Sequence, residues 1–293
     1  MTASLEPAGT IYDIGYRHYA GPRLGRRGAI TAVIAAGLRA VFGLGRSGRS
    51  KVIPWGAVIL AALPAIVAVA IRVLAGDLIE LYSYANYVWG VGALLPIFVA
   101  AQAPELVVND IRHQVLPLYF SRPMSRLDYV GAKLAALSLG LLSLTLLPVL
   151  ILFVGRLLAA DDVVGALGDE GAALPGIVGS GVLHAVVLGS LGLAICSLAA
   201  RRAYAAGAVL AVFLIGGAIS EVFSGPAGFA DIAPFLNPLA ILDGAREWLF
   251  GGSVAESPVG RADLPLVSYG LATLVLGLGS WAVLAVRYRR IST

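Results

Sequence analysis

Six long apolar runs dominate the chain, at residues 52–75, 85–103, 129–153, 174–200, 203–223 and 264–286. A helix that crosses a bilayer needs about 20 mostly apolar residues, and each run reaches that length. The third and fourth carry no charge at their centres. The runs are continuous rather than alternating, which argues against a transmembrane barrel. Pro64, Pro96 and Pro148 fall inside them, and helices in lipid tolerate internal proline. Composition agrees. Of 293 residues, 59% are hydrophobic and 13% charged, more apolar surface than a water-soluble domain of this size can hide. Low charge with high hydrophobicity also excludes disorder. The expected fold is an all-α membrane protein: an N-terminal segment over residues 1–51 and a six-helix transmembrane domain over 52–293.

Charge orients the spans. An even number puts both termini on one side. Residues 1–51, 104–133, 201–202 and 287–293 then hold 17 of the 21 Lys and Arg residues, and the other side keeps Arg72, Arg156, Arg246 and Arg261. Basic residues gather on the cytoplasmic face of membrane proteins, so both termini are expected in the cytoplasm. The 19-to-2 excess of Arg over Lys, with abundant Ala and Gly, points to a GC-rich bacterial genome and hence to a bacterial inner membrane. Residues 1–28 show neither an apolar signal core nor a small-residue cleavage site. Beyond them Ile30, Val33, Ile34, Leu38, Val41 and Phe42 recur on one helical face. Flanked by arginines, this reads as a helix lying in the cytoplasmic interface; a short helix packed on the protein itself is the alternative.

Two loops are long enough to be functional: residues 104–128 on the cytoplasmic side and 224–263 on the outer side. The second contains an apolar stretch, 232–250, punctuated by Pro234, Pro238, Gly251 and Gly252. It is too short and broken to span. It either dips into the outer leaflet and returns or covers the bundle from above. No internal repeat is visible, which counts against an inverted-repeat carrier.

Several chemistries are missing. A P-loop needs Gly-Lys-Ser/Thr, yet the only lysines are Lys51, between Ser50 and Val52, and Lys133, between Ala132 and Leu134. The chain therefore does not bind ATP by that route. Gly43, Gly45 and Gly48 spell GxGxxG, but after a helical segment rather than a strand, so a hinge is the better reading. There is no HExxH or paired-His metal motif and only one cysteine, Cys196, which reads as a small packing residue. His184 lies within the fourth span. It is either a functional ionisable group or a neutral ring hydrogen-bonded inside the bundle. Without an intramembrane nucleophile, metal ligands or paired carboxylates, an enzyme is disfavoured. No metal and no cofactor are expected in this chain, and nothing points to nucleic acid.

The loop after the second span runs Pro104-Glu105-Leu106 through Asn109-Asp110-Ile111-Arg112, then Leu116-Pro117-Leu118-Tyr119-Phe120-Ser121-Arg122-Pro123-Met124-Ser125-Arg126, followed by Tyr129, Gly131 and Lys133. This resembles the permease subunits of ATP-binding cassette (ABC) exporters, in the six-helix family that exports drugs, polysaccharides and lipids. Glu105, Ser121, Pro123, Ser125, Arg126, Tyr129, Gly131 and Lys133 match the family's pattern. Arg112-His113-Gln114 and Pro117 depart from it. Phe235-Leu236-Asn237-Pro238-Leu239 with Arg246 resembles the family's outer segment. The resemblance implies an N-terminal interfacial helix, a cytoplasmic coupling helix between helices 2 and 3, and an outer or re-entrant segment between helices 5 and 6. It also implies a dimer of six-helix units, homo- or heterodimeric, with ATP and magnesium on separate P-loop ATPase subunits.

On that reading Leu106, Ile111, Leu116 and Phe120 would dock on the ATPase subunit, with Glu105, Asp110, Arg112, Arg122 and Arg126 setting orientation. An ordinary solvated loop is the alternative. The second and fifth helices would line the substrate path, making Trp89, Phe98, Gln102, Phe213 and Gly217 candidates. A mainly apolar path implies an amphiphilic or hydrophobic cargo. The competing expectation is an ion-coupled secondary transporter or channel acting without an ATPase. The stretch Tyr12-Asp13-Ile14-Gly15-Tyr16 takes no assigned role.

Overall fold

The computed structural model describes residues 21, 24–75, 82–160, 162–225, 229–251, 258–262 and 264–290. All regular structure among them is helical. In chain order the helices are α1 (Gly25–Val41), α2 (Arg49–Ala75), α3 (Tyr84–Gly90), α4 (Leu94–Arg112), α5 (Leu116–Phe120), α6 (Arg126–Thr145) and α7 (Leu147–Ala159). They continue with α8 (Val163–Gly171), α9 (Leu174–Leu198), α10 (Arg202–Phe223), α11 (Pro238–Phe250), α12 (Pro258–Arg261) and α13 (Val267–Arg290). A 3-10 turn, Ala233–Leu236, leads into α11. The stretch Tyr12–Tyr16 lies outside the described residues.

Among the described residues six helical segments are long and apolar enough to cross a membrane: α2, α4, α6 continued by α7, α9, α10 and α13. The fourth, fifth and sixth fall within a few residues of expectation. The second does not. The run at 85–103 is broken after Gly90, and the spanning helix starts at Leu94 and continues through Pro104 to Arg112. Residues 104–112, expected in the loop, thus belong to the helix. Pro104 lacks only its own N–H, a loss that a buried helix flanked by others tolerates. The third span bends at Leu146, just before Pro148, where proline cannot donate back to the preceding turn.

α9 is the hub. It packs against α6, α4, α13, α10 and α11, and two thirds of its apolar window is buried, against 17% for α10 and 22% for α2. Glycine makes helix approaches close, here and between α7 and α2. A methyl added at Gly192 would lie 2.2 Å from a Val99 methyl, and one at Gly155 2.2 Å from Val69; small residues at helix contacts serve this purpose.

α1 lies against α6 and α4. Val33, Gly37 and Val41 are buried there, with Ile30, Ile34 and Phe42 partly covered. Gly37 opposes Ala136, and Val41 sits in the notch of Gly140. The apolar face expected to meet lipid is thus largely spent on the protein itself.

α2 contains Pro64. Beside it the Tyr87 hydroxyl of α3 donates to the Ala61 carbonyl and accepts from the Ala65 amide at 3.1 Å. Those are the two groups that one turn of helix would ordinarily join to each other.

Candidate functional site

The first candidate surface lies at the end of the bundle where basic residues gather, between α4 and α6. Helix α4 ends at Arg112, and Gln114 reverses the chain with φ 53°, the only non-glycine in the left-handed region among the described residues. α5 then forms one short helix with Pro117 in its first turn, where a missing N–H does no harm. Ser125 starts α6 through a capping box with Asp128.

Three carboxylates fasten this surface. Asp128 takes a two-pronged bond from the Arg26 guanidinium at 2.7 and 2.8 Å, tying α1 to α6. Glu105, its side chain only 9% exposed, holds Arg46 at 3.1 Å and also Arg202 at the start of α10. Asn109 donates to the same carboxylate at 3.1 Å. Asp110 accepts from the Tyr129 hydroxyl at 2.6 Å and pairs with Lys133 at 2.7 Å.

Around that last pair sits an aromatic box. Tyr129 touches Tyr119, Phe120 and Tyr288. The Lys133 ammonium lies 5.3 Å from the Tyr129 ring centre and 5.7 Å from that of Tyr119, within cation–π range. Burial and the nearby Asp110 charge push the Tyr119 phenol up. Arg126 reaches over Phe120 at 5.7 Å and donates to the Arg289 carbonyl at 2.6 Å. Through Tyr119 and Phe120 α5 is therefore seated on α6, which in turn meets α13, while Leu118, 69% exposed, projects outward with Pro117, Arg112 and Arg122.

The nine residues expected to contact a partner thus divide. Leu106 and Leu116 are buried in the chain's own core. Glu105 and Asp110 are turned to internal ion pairs. Ile111 and Phe120 are half-buried, and Arg126 is held between α5 and α13. Only Arg112 and Arg122 are fully displayed, with Leu118 beside them as a residue that sequence reasoning passed over. A lone exposed leucine between Pro117 and Tyr119 on a short helix was the available signal.

The second candidate is a groove of about 710 Å³ bounded by α3, the start of α4, α10, α11 and α12. Trp89, Phe213 and Gly217 line it. Phe98 and Gln102 do not; they are buried inside the bundle. The apolar walls meet polar groups at the other end: Asn237, Asp243 and Glu221. Asn237 caps α11 by accepting from the Leu239 amide at 3.0 Å. Glu221 pairs with Arg261 at 2.8 Å. Asp243 pairs at 2.7 Å with Arg246, which is wholly buried. Burial raises the Asp243 carboxyl above the ordinary range, and the Arg246 guanidinium pulls it back. Gly216 lets the return segment close on α10, since a methyl there would lie 2.6 Å from the Leu236 carbonyl oxygen.

A further cluster at this end joins Tyr84, Arg156 and Glu170. The Tyr84 hydroxyl donates to Glu170 at 2.7 Å, and the Arg156 guanidinium lies 4.3 Å over the Tyr84 ring. His184 is buried, its ring nitrogen 2.8 Å from the Ser180 carbonyl one turn earlier, and Cys196 is a buried packing residue. No cluster of potential metal ligands occurs among the described residues. No family model and no curated protein matches the chain.

Proposed function

We propose that the chain is the transmembrane permease subunit of an ABC exporter, driven by ATP hydrolysis on separate P-loop ATPase subunits. One observation carries the reading. Between the second and third spans sits a short helix, α5, seated by the Tyr129–Asp110–Lys133 cluster on helices that cross the membrane. A force applied to Leu118, Arg112 or Arg122 passes into α4, α6 and α13 rather than into a slack loop. A permease without a nucleotide site needs such a receiving surface. The resemblance of residues 104–133 to the family supports the same conclusion, and the positive-inside pattern supports a cytoplasmic side for α5 and both termini; the membrane in this reading is a bacterial inner membrane.

In this reading α10, the least buried of the spans, and the sparsely buried α2 face a second permease chain, identical or related. The groove of Trp89, Phe213 and Gly217 then forms part of the substrate path, and α11 is the re-entrant outer segment. Its apolar walls suit an amphiphilic or hydrophobic cargo. The permease would work by alternating access, facing inward and outward in turn as the ATPases close and reopen beneath the α5 helices.

Co-expression with a P-loop ATPase encoded beside this chain tests the reading. The expected result is a complex that co-purifies, cross-links through Leu118→Cys, and loses stimulated ATPase activity in Leu118→Arg. Transport by the purified chain alone, with no ATPase bound, would favour a secondary transporter or channel and overturn the proposal.

A further inference from the structure

Away from both candidate sites, α9 and α13 leave a furrow between them. One cavity of about 600 Å³ runs beside Val178, Val182 and Val186 of α9 and beside Leu274, Leu278 and Trp281 of α13. A second, about 190 Å³, lies next to Trp248, Val267 and Gly270. The two share Leu183, Thr273 and Leu274, so they form one furrow. Gly179 and Gly277 help to hollow it, because neither supplies a side chain to fill it.

The furrow offers no charge and almost no polar surface. Its two hydroxyls are already engaged: Ser190 donates to the Val187 carbonyl at 2.9 Å, and Thr273 to the Ile241 carbonyl at 3.5 Å. A polar occupant would lose its water shell there without compensation. Both walls belong to segments apolar and long enough to cross a membrane, and the valines and leucines of the rim are exposed.

Size selects among apolar occupants. A helix about 10 Å across would fill on the order of 1,600 Å³ over 20 Å of length, well beyond the 600 Å³ present. A neighbouring protein helix can therefore rest on the rim but not lie within. A linear hydrocarbon chain is narrow enough. From Val267 to Trp281 the furrow follows about 21 Å of helix at about 1.5 Å per residue, and one leaflet of hydrocarbon is about 15 Å deep, half of the roughly 30 Å core. An extended tail fits within that length and gains contacts on both flanks and the floor, where ordinary boundary lipid touches a helix on one side.

We propose that the α9–α13 furrow is a seat for one acyl chain of a membrane lipid. It is independent of the transport reading. The seated chain would also touch Trp248 of α11, and so would join α9, α11 and α13 in one apolar contact.

The test uses the full-length protein in lipid vesicles, with Trp281 kept as the single tryptophan by W55F, W89F and W248F. A second protein keeps only Trp55, which lies on α2 near the same end of the bundle and is exposed. Phosphatidylcholine with brominated tails is titrated into unbrominated phosphatidylcholine. A seat predicts half-maximal quenching of Trp281 at about a fivefold lower brominated fraction than for Trp55, equivalent to about 1 kcal/mol at 1.4 kcal/mol per tenfold. Filling the floor with Gly277→Leu, or closing the rim with Val186→Phe, should bring Trp281 to the Trp55 value; the second variant covers the case in which the first misfolds. Equal quenching of the two tryptophans, or a Trp281 response unchanged by both fillings, overturns the proposal. So does a Trp281 that no brominated lipid reaches while chains cross-link across this face.

Discussion

Asp110→Asn isolates the contribution of the best-protected ion pair at the basic end. Lys133 is 8% exposed and Asp110 17% in their side chains. Removing the carboxylate charge leaves an ammonium in place with little access to water, although the two nearby rings soften the loss. Breaking a fully buried pair costs about 3–5 kcal/mol; the partial exposure of Asp110 brings the expectation to the lower end, about 3 kcal/mol. For a chain of this size about 2 °C accompanies each kcal/mol, so the melting temperature in detergent should fall by about 6 °C. Lys133→Met should cost less, because an Asp110 left alone reaches solvent and keeps the Tyr129 hydrogen bond. The double variant should then lose clearly less than the sum of the two single losses, as expected for residues in one network. Thermal unfolding followed by tryptophan fluorescence supplies all four values. Strict additivity, or an unchanged melting temperature in Asp110→Asn, would refute the view that this pair anchors α5.

Glu105→Gln weakens two pairs whose arginines are 44% and 55% exposed; about 1 kcal/mol in all is expected, shrinking as salt is added, and melting curves at low and high salt check it. Gln114→Gly relieves a left-handed residue that costs about 1 kcal/mol, so its melting temperature should rise slightly, whereas Gln114→Val should lower it. Gly216→Ala pushes a methyl toward the Leu236 carbonyl oxygen; a loss of about 1–3 kcal/mol is expected, read as lower melting temperature and weaker protease protection of the segment before α11. Tyr87→Phe strips the hydroxyl from Ala61 and Ala65 and should cost about 1–3 kcal/mol, measurable in the same assay.

The spans were legible because hydropathy is a property of consecutive residues. Residues 174–198 and 202–223 needed only their own composition to declare themselves. The break at Gly90 was less visible, since Val91, Ala93 and Leu94 keep the stretch apolar while the backbone changes course. The other end erred in the opposite direction: the loop was expected to begin at residue 104, yet α4 runs on through Pro104 to Arg112. The surface of α5 was legible as a place but not residue by residue. Glu105 looked available because its partners, Arg46 and Arg202, lie far away in the chain. Leu106 and Leu116 looked like docking knobs because nothing in sequence shows that both are buried in the chain's own core. The α1 face was read correctly as apolar, but its destination depended on Gly37 and Gly140, whose notches matter only when the two helices meet.

The Tyr87 hydroxyl that stands between Ala61 and Ala65 has a mechanical meaning. A rung of α2 is completed by a neighbour, so the stiffness of that helix is not its own property. Without that hydroxyl the Ala65 amide and the Ala61 carbonyl would be left to each other, one residue beyond the bond that Pro64 cannot make. The stretch of α2 beside Pro64 is therefore completed by two helices rather than one, and the second of them, α3, also carries Trp89 to the border of the groove.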